Sequence, residues 1–138
     1  MADKPRLFLV DDGVHYANAI AKHMPEYELI EVADGRKRAQ DGIEAVEYLK
    51  KCQQHVDLVL LDMRFDVGKD RLLDLPEAST LRRQRRYQGI AILRRLKNDF
   101  SHLPVVVLTS LADLSVAEIA GELQSLSLTY MLDGDDLD

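Results

Sequence analysis

The run Leu7-Phe8-Leu9-Val10-Asp11-Asp12-Gly13, LFLVDDG, decides the fold. Four apolar residues without alternation read as a strand buried on both faces, the habit of parallel sheets. The run ends on two adjacent carboxylates, whose like charges repel and resist leaving water unless a cation compensates them. A second run, Val56–Leu61 in VDLVLLD, also ends on a carboxylate, Asp62. A third, Val105–Leu108 in LPVVVLTS, ends on Thr109 and Ser110.

Helical periods separate these runs. Val14, Ala17, Ala21 and Met24 mark a first helix closed by Pro25, and Ile43, Val46, Leu49 and Cys52 mark a second. Ile90, Leu93, Leu96 and Phe100 mark a third, and the capping box Ser115–Glu118 opens a fourth. With Arg6–Val10, Tyr27–Ala33 and Leu128–Leu132 as the remaining strands, the alternation predicts an α/β fold built on a parallel sheet. Right-handed crossovers gather the carboxyl ends of parallel strands on one sheet edge, where ligands of open α/β folds bind. Asp11, Asp12, Asp62 and Thr109 are therefore expected to converge.

The bulk properties suit that reading. The chain has 138 residues, 46% hydrophobic and 30% charged, consistent with one globular domain over 1–138. Its 24 acidic and 18 basic residues give a formal charge of −6, which argues against direct nucleic-acid binding. Cys52 is the only cysteine, so no disulfide forms within the chain. Neither a signal-peptide pattern nor an apolar segment of membrane-spanning length is present, and a cytoplasmic location is the expectation.

Three carboxylates brought together without His or Cys suit a hard cation such as Mg²⁺. A carboxylate beside Mg²⁺ can also attack phosphorus to give an aspartyl phosphate, with a hydroxyl such as that of Thr109 bonding one phosphoryl oxygen. The plainer alternative makes Asp11 and Asp12 helix-capping residues and Asp62 a loop acid.

LFLVDDG, DLVLLDM, VVVLTS and GIAILRRLK together resemble the receiver domain of two-component response regulators, in the right order from about Arg6 to Leu132. The resemblance implies a flavodoxin-like doubly wound five-stranded sheet of order 2-1-3-4-5. It implies Asp62 as phosphoacceptor, Asp12 as a direct Mg²⁺ ligand and Asp11 as one acting through water. The backbone carbonyl of Arg64 would complete the metal site, Thr109 would be the switch hydroxyl and Tyr130 the aromatic that moves with it. A histidine kinase or phosphotransfer protein would donate the phosphate, and a downstream partner or linked output domain would read it. No enzymatic role is implied beyond phosphorylation and dephosphorylation at the aspartate.

Besides a smaller insertion around GRKRAQD after strand two, the sequence departs from the receiver pattern in three places. Receivers carry a lysine at the end of strand five, where this chain has Asp133 and no Lys or Arg follows Lys97. Gly89, which matches the glycine before the third helix, stands 27 residues after Asp62, so about 65–88 read as an insertion, with Pro76 expected to start a backward extension of that helix. Arg82, Arg83, Arg85 and Arg86 within it read as a solvated face, with the alternatives of docking an acidic partner or, with Lys69, of covering the site. The third departure is a final helix missing or outside this chain, which leaves part of one sheet face as a candidate dimer surface. The four histidines show no ligand spacing, and His15 is expected to be an exposed first-turn residue.

Two other functions compete with the phosphoacceptor. One is a phosphorylation-independent pseudo-receiver acting as a protein-interaction module. The other is a Mg²⁺-dependent phosphatase with an aspartate nucleophile, disfavoured because Arg64 stands where an acid is needed.

Overall fold

A computed structural model of the chain describes residues 4–109 and 129–132. Five strands form one sheet: β1 (Arg6–Val10), β2 (Glu28–Leu29), β3 (Leu58–Asp62), β4 (Val105–Thr109) and β5 (Thr129–Leu132). Their order is β2-β1-β3-β4-β5 with every pairing parallel, the doubly wound topology that the receiver resemblance implies. Between them lie α1 (His15–His23), α2 (Gly42–Cys52), a short α3 (Leu81–Arg86) and α4 (Gln88–Asp99).

Two apolar clusters sandwich the sheet. The larger packs Phe8, Val10, Val59, Leu61 and Val107 under α2 and α4 through Leu49, Ile92, Leu93 and Leu96. The smaller packs Leu7, Leu9, Leu60 and Leu108 against Tyr16 and Ile20 of α1. The alternation of strand residues between these clusters is the period of two that a doubly covered sheet demands. Beside α1, an apolar groove runs over Leu7, Leu58, Leu60, Val106 and Leu108 and is edged by Met24 and Tyr27.

Several boundaries differ from expectation. The second strand was expected to run to Ala33, but the chain leaves the sheet after Leu29. Val32 and Ala33 instead close a turn on the Arg36 carbonyl (2.9 and 3.3 Å), and Gly35 takes the positive φ of 74° that Asp-Gly turns use. Ala39 then returns to β1 as a parallel bridge to Val10 and fills the place the longer strand would have held. In α1 the buried stripe is Tyr16 and Ile20, not Val14 and Ala21; Val14 is 57% exposed. Tyrosine buries its ring here, so the inward face is rotated from the one its aliphatic residues suggest.

The third helix does not begin at Pro76. Pro76 and Glu77 sit in a turn, and α3 starts at Leu81, where the Thr80 hydroxyl accepts from the Arg83 N–H at 3.2 Å. A break at Tyr87 separates it from α4. Residues 63–80 are anchored in the core by Met63, Phe65, Leu75 and Ala78. The fully buried Gln88 secures the same segment. Its Oε1 accepts from the Leu73 N–H at 2.6 Å and its Nε2 donates to the Leu73 carbonyl at 3.0 Å. The amide side chain thus satisfies both backbone groups of a segment that has no neighbouring strand to pair with. The Ser115–Glu118 capping box, Ser110 and everything after Leu132, Asp133 included, lie outside the described residues.

Candidate metal centre

Asp11 and Asp12 follow β1 directly, and Asp62 is the last residue of β3, two strands paired in register from Leu7 with Leu58 to Val10 with Leu61. That register carries the three side chains to the same edge, where one carboxylate oxygen from each lies within 4.8 Å of the others. Asp11 is buried, at 4% exposure, while Asp12 and Asp62 are half-buried. His15 is exposed and its ring lies edge-on to Tyr16 at 5.4 Å, as expected of a first-turn residue.

Backbone donors orient each acid. The Gly13 N–H donates to Asp11 Oδ1 at 3.1 Å, and the Met63 N–H donates to Asp62 Oδ1 at 2.8 Å. The Asp66 N–H, four residues beyond Asp62 in the loop after β3, reaches Asp12 Oδ2 at 2.9 Å. These bonds offset only part of the cost of crowding. Burial, then the charge of Asp11, pushes the Asp62 carboxyl up to about 9, and burial is also the main cause of the raised Asp12 carboxyl. An all-oxygen donor set whose members resist ionising together is what a hard divalent cation relieves, so the residues fit Mg²⁺.

The loop after Asp62 is held by α4. The Gly89 N–H donates to the Met63 carbonyl at 2.8 Å. A Cβ on Gly89 would lie 2.6 Å from the Asp62 carbonyl oxygen and 2.7 Å from the Met63 Cα, so only glycine lets the helix approach this closely. Arg64 is exposed and its side chain pairs with Asp66 at 3.3 Å. Thr109 ends β4, one residue beyond Leu108, the register partner of Asp62; Tyr130 of β5 is in register with Val107.

The arginine cluster makes contacts within its own segment. The guanidinium groups of Arg83 and Arg86 stand over the Tyr87 ring at 5.3 and 5.4 Å, and Arg85 Nε donates to the Val67 carbonyl at 3.0 Å. Lys69 is exposed in a short 3₁₀ turn, Lys69–Arg71. Sequence reasoning missed one basic residue that does meet the site: Arg38, whose Nε donates to the Gly13 carbonyl at 2.6 Å. It also missed the Asp66 N–H, because a backbone donor from a long loop carries no residue-type signal.

No protein-family model matches the chain, and no curated protein does. Solved structures resemble it at low identity. The Salmonella typhimurium RcsB response regulator aligns with a TM-score of 0.65 and 17% identity over 97% of this chain, which spans 53% of the RcsB chain. The receiver domain of NtrX from Brucella abortus aligns with a TM-score of 0.61 and 20% identity, covering 95% of this chain and 90% of that one. A chain of the CheX–CheY–BeF3–Mg²⁺ complex from Borrelia burgdorferi aligns at 0.63 and 18%, covering 96% and 81%. Among the described residues no helix is long and apolar enough to cross a membrane. The chain has the fold of the receiver domains of response regulators.

Proposed function

We propose that the chain is a single receiver domain, with an insertion at about 65–88, that acts as a phosphoacceptor in two-component signal transduction. One observation carries the reading: carboxylate oxygens of Asp11, Asp12 and Asp62 meet within 4.8 Å at the carboxyl edge of a parallel sheet. Asp11, Asp12, Asp62 and the Arg64 carbonyl would hold a Mg²⁺ ion, which when bound neutralises charge on the transferring group. An oxygen of the Asp62 carboxylate attacks phosphorus, the bond from phosphorus to the donor breaks, and its electron pair leaves with the donor group. The Thr109 hydroxyl donates a hydrogen bond to a phosphoryl oxygen, and Tyr130 follows it to alter a surface read by a downstream partner or output domain. A histidine kinase or phosphotransfer protein supplies the phosphate. The likeness of fold to a chain from the complex of CheY with CheX, BeF3 and Mg²⁺ supports the metal and the kind of partner in this reading.

Incubation with Mg²⁺ and acetyl phosphate is expected to add the mass of one phosphoryl group, and Asp62→Asn to abolish the adduct. An unmodified wild type, or equal uptake by the variant, overturns the mechanism. A second reading, the phosphorylation-independent pseudo-receiver, is favoured by the absence of Lys and Arg from residues 98–138. It predicts partner binding indifferent to Mg²⁺, phosphodonor and Asp62→Asn.

A further inference from the structure

A phosphoryl group arriving at three carboxylates meets a residual negative field, because a divalent ion cancels only two of the three charges. Residues 98–138 hold no Lys or Arg, so the cations this sequence offers to the site stand at residue 97 or before it. The arginines near this end of the sheet are largely engaged with acids: Arg36 with Glu44, Arg71 with Asp41 at 2.9 Å, and Arg64 with Asp66 at 3.3 Å. Arg38 is not. Its Nε is bonded to the carbonyl of Gly13, the residue after Asp12, and the N–H of that same Gly13 donates to Asp11 Oδ1. Among the described residues its two terminal nitrogens have no hydrogen-bond or ion-pair partner.

The loop holds this guanidinium in place. The Arg38 carbonyl accepts from Arg36 Nη1 at 2.8 Å, and Arg36 is clasped on its other side by both oxygens of Glu44. The next residue, Ala39, is bonded to β1 through its N–H to the Leu9 carbonyl (2.8 Å) and its carbonyl to the Asp11 N–H (2.9 Å). A cation with donors to spare is therefore fastened against the turn that carries two of the three acids, and little ordering entropy remains to be lost when an anion arrives.

We propose that Arg38 is the anion-binding cation of the site, donating through its terminal nitrogens to an oxygen of the phosphoryl group on Asp62. The assignment rests on the phosphoacceptor reading. It assigns to the loop after β2 a role in recognising the phosphoryl group, beyond tying the loop to Gly13.

The test compares wild type, Arg38→Gln and Arg38→Lys in the rate of phosphoryl uptake from acetyl phosphate with Mg²⁺, alongside Mg²⁺ affinity by calorimetry. Arg38→Gln is expected to slow uptake about tenfold or more, as the loss of a charge-assisted bond requires. Arg38→Lys should recover only part of that rate, because a single ammonium keeps the charge but cannot hold the Gly13 carbonyl and the phosphoryl oxygen together. Mg²⁺ affinity of the Gln variant should hold or tighten, because a like charge has been removed from beside the cation site. Uptake by Arg38→Gln at the wild-type rate overturns the assignment and leaves the receiver reading standing. A variant that weakens Mg²⁺ binding in step with uptake shows Arg38 to be a structural prop and also overturns it. A wild type that takes up no phosphate overturns both.

Discussion

Replacing Asp62 by Asn should stabilise the protein when no divalent cation is present, by an amount that grows with pH. The Asp62 carboxyl titrates near 3.8 in the unfolded chain and at about 9 in the fold, so between those values the native state binds one more proton than the unfolded one. Stability then falls as pH rises through that window and levels off above it. At about 1.4 kcal/mol per pH unit, the climb from pH 4 to pH 8 removes up to about 5 kcal/mol, comparable with the whole stability of many domains. Relaxation around the acids reduces the realised figure, and about 2 kcal/mol at pH 8 is the expected gain for Asp62→Asn. Asparagine keeps an oxygen for the Met63 N–H, so that bond is retained. For a chain of this size the gain corresponds to roughly 6–8 °C in Tm. The assay is thermal unfolding of both proteins in chelator at pH 5 and pH 8, repeated with Mg²⁺. Mg²⁺ should raise the wild-type Tm more at pH 8 than at pH 5, and raise that of the variant much less. Equal melting of the two proteins at pH 8 in chelator, or a gap that fails to shrink at pH 5, refutes the reasoning.

Gly89→Ala must push α4 away from the Asp62 carbonyl; a loss of about 1–3 kcal/mol in urea unfolding is expected, together with weaker Mg²⁺ binding measured by calorimetry. Gln88→Leu leaves the Leu73 N–H and carbonyl without their buried partner, which should cost about 2–4 kcal/mol. The same change should open residues 66–80 to limited proteolysis, read by mass spectrometry, while a cleavage pattern like that of wild type counts against the anchoring role of Gln88.

The sheet was legible because its strands announce themselves. Leu7–Val10 and the run ending at Asp62 can satisfy their side chains only between two layers, while the strand order was implied by the resemblance to receiver domains and not by the strands themselves. The acidic trio was legible for the same reason, since each acid immediately follows or ends a strand. What escaped was set by backbone and by amphipathic residues. The Asp34-Gly35 turn that shortens β2 lies inside a stretch whose apolar residues suit a strand, and Tyr16 outweighs Val14 through a ring that propensity counts as half polar. Gln88 reads as a surface residue at a helix start, and only the geometry reveals it as a stand-in for a neighbouring strand. Arg38 looked like one charge among several in GRKRAQD.

Gly89 has a consequence for how this chain could have acquired its long segment. The end of β3 and the start of α4 touch backbone to backbone, so the two ends of the intervening stretch are set by that contact and not by what lies between them. Length and geometry are thereby uncoupled. Residues added between such pinned ends cost only the slowly rising entropy of a longer loop, about 0.6 kcal/mol per doubling, and here Phe65, Leu75 and Ala78 offset it by burial. A shorter bridge spanning the same two points should leave the acids where they are, which makes residues 66–80 a place where new binding surfaces can be grafted beside an unchanged centre.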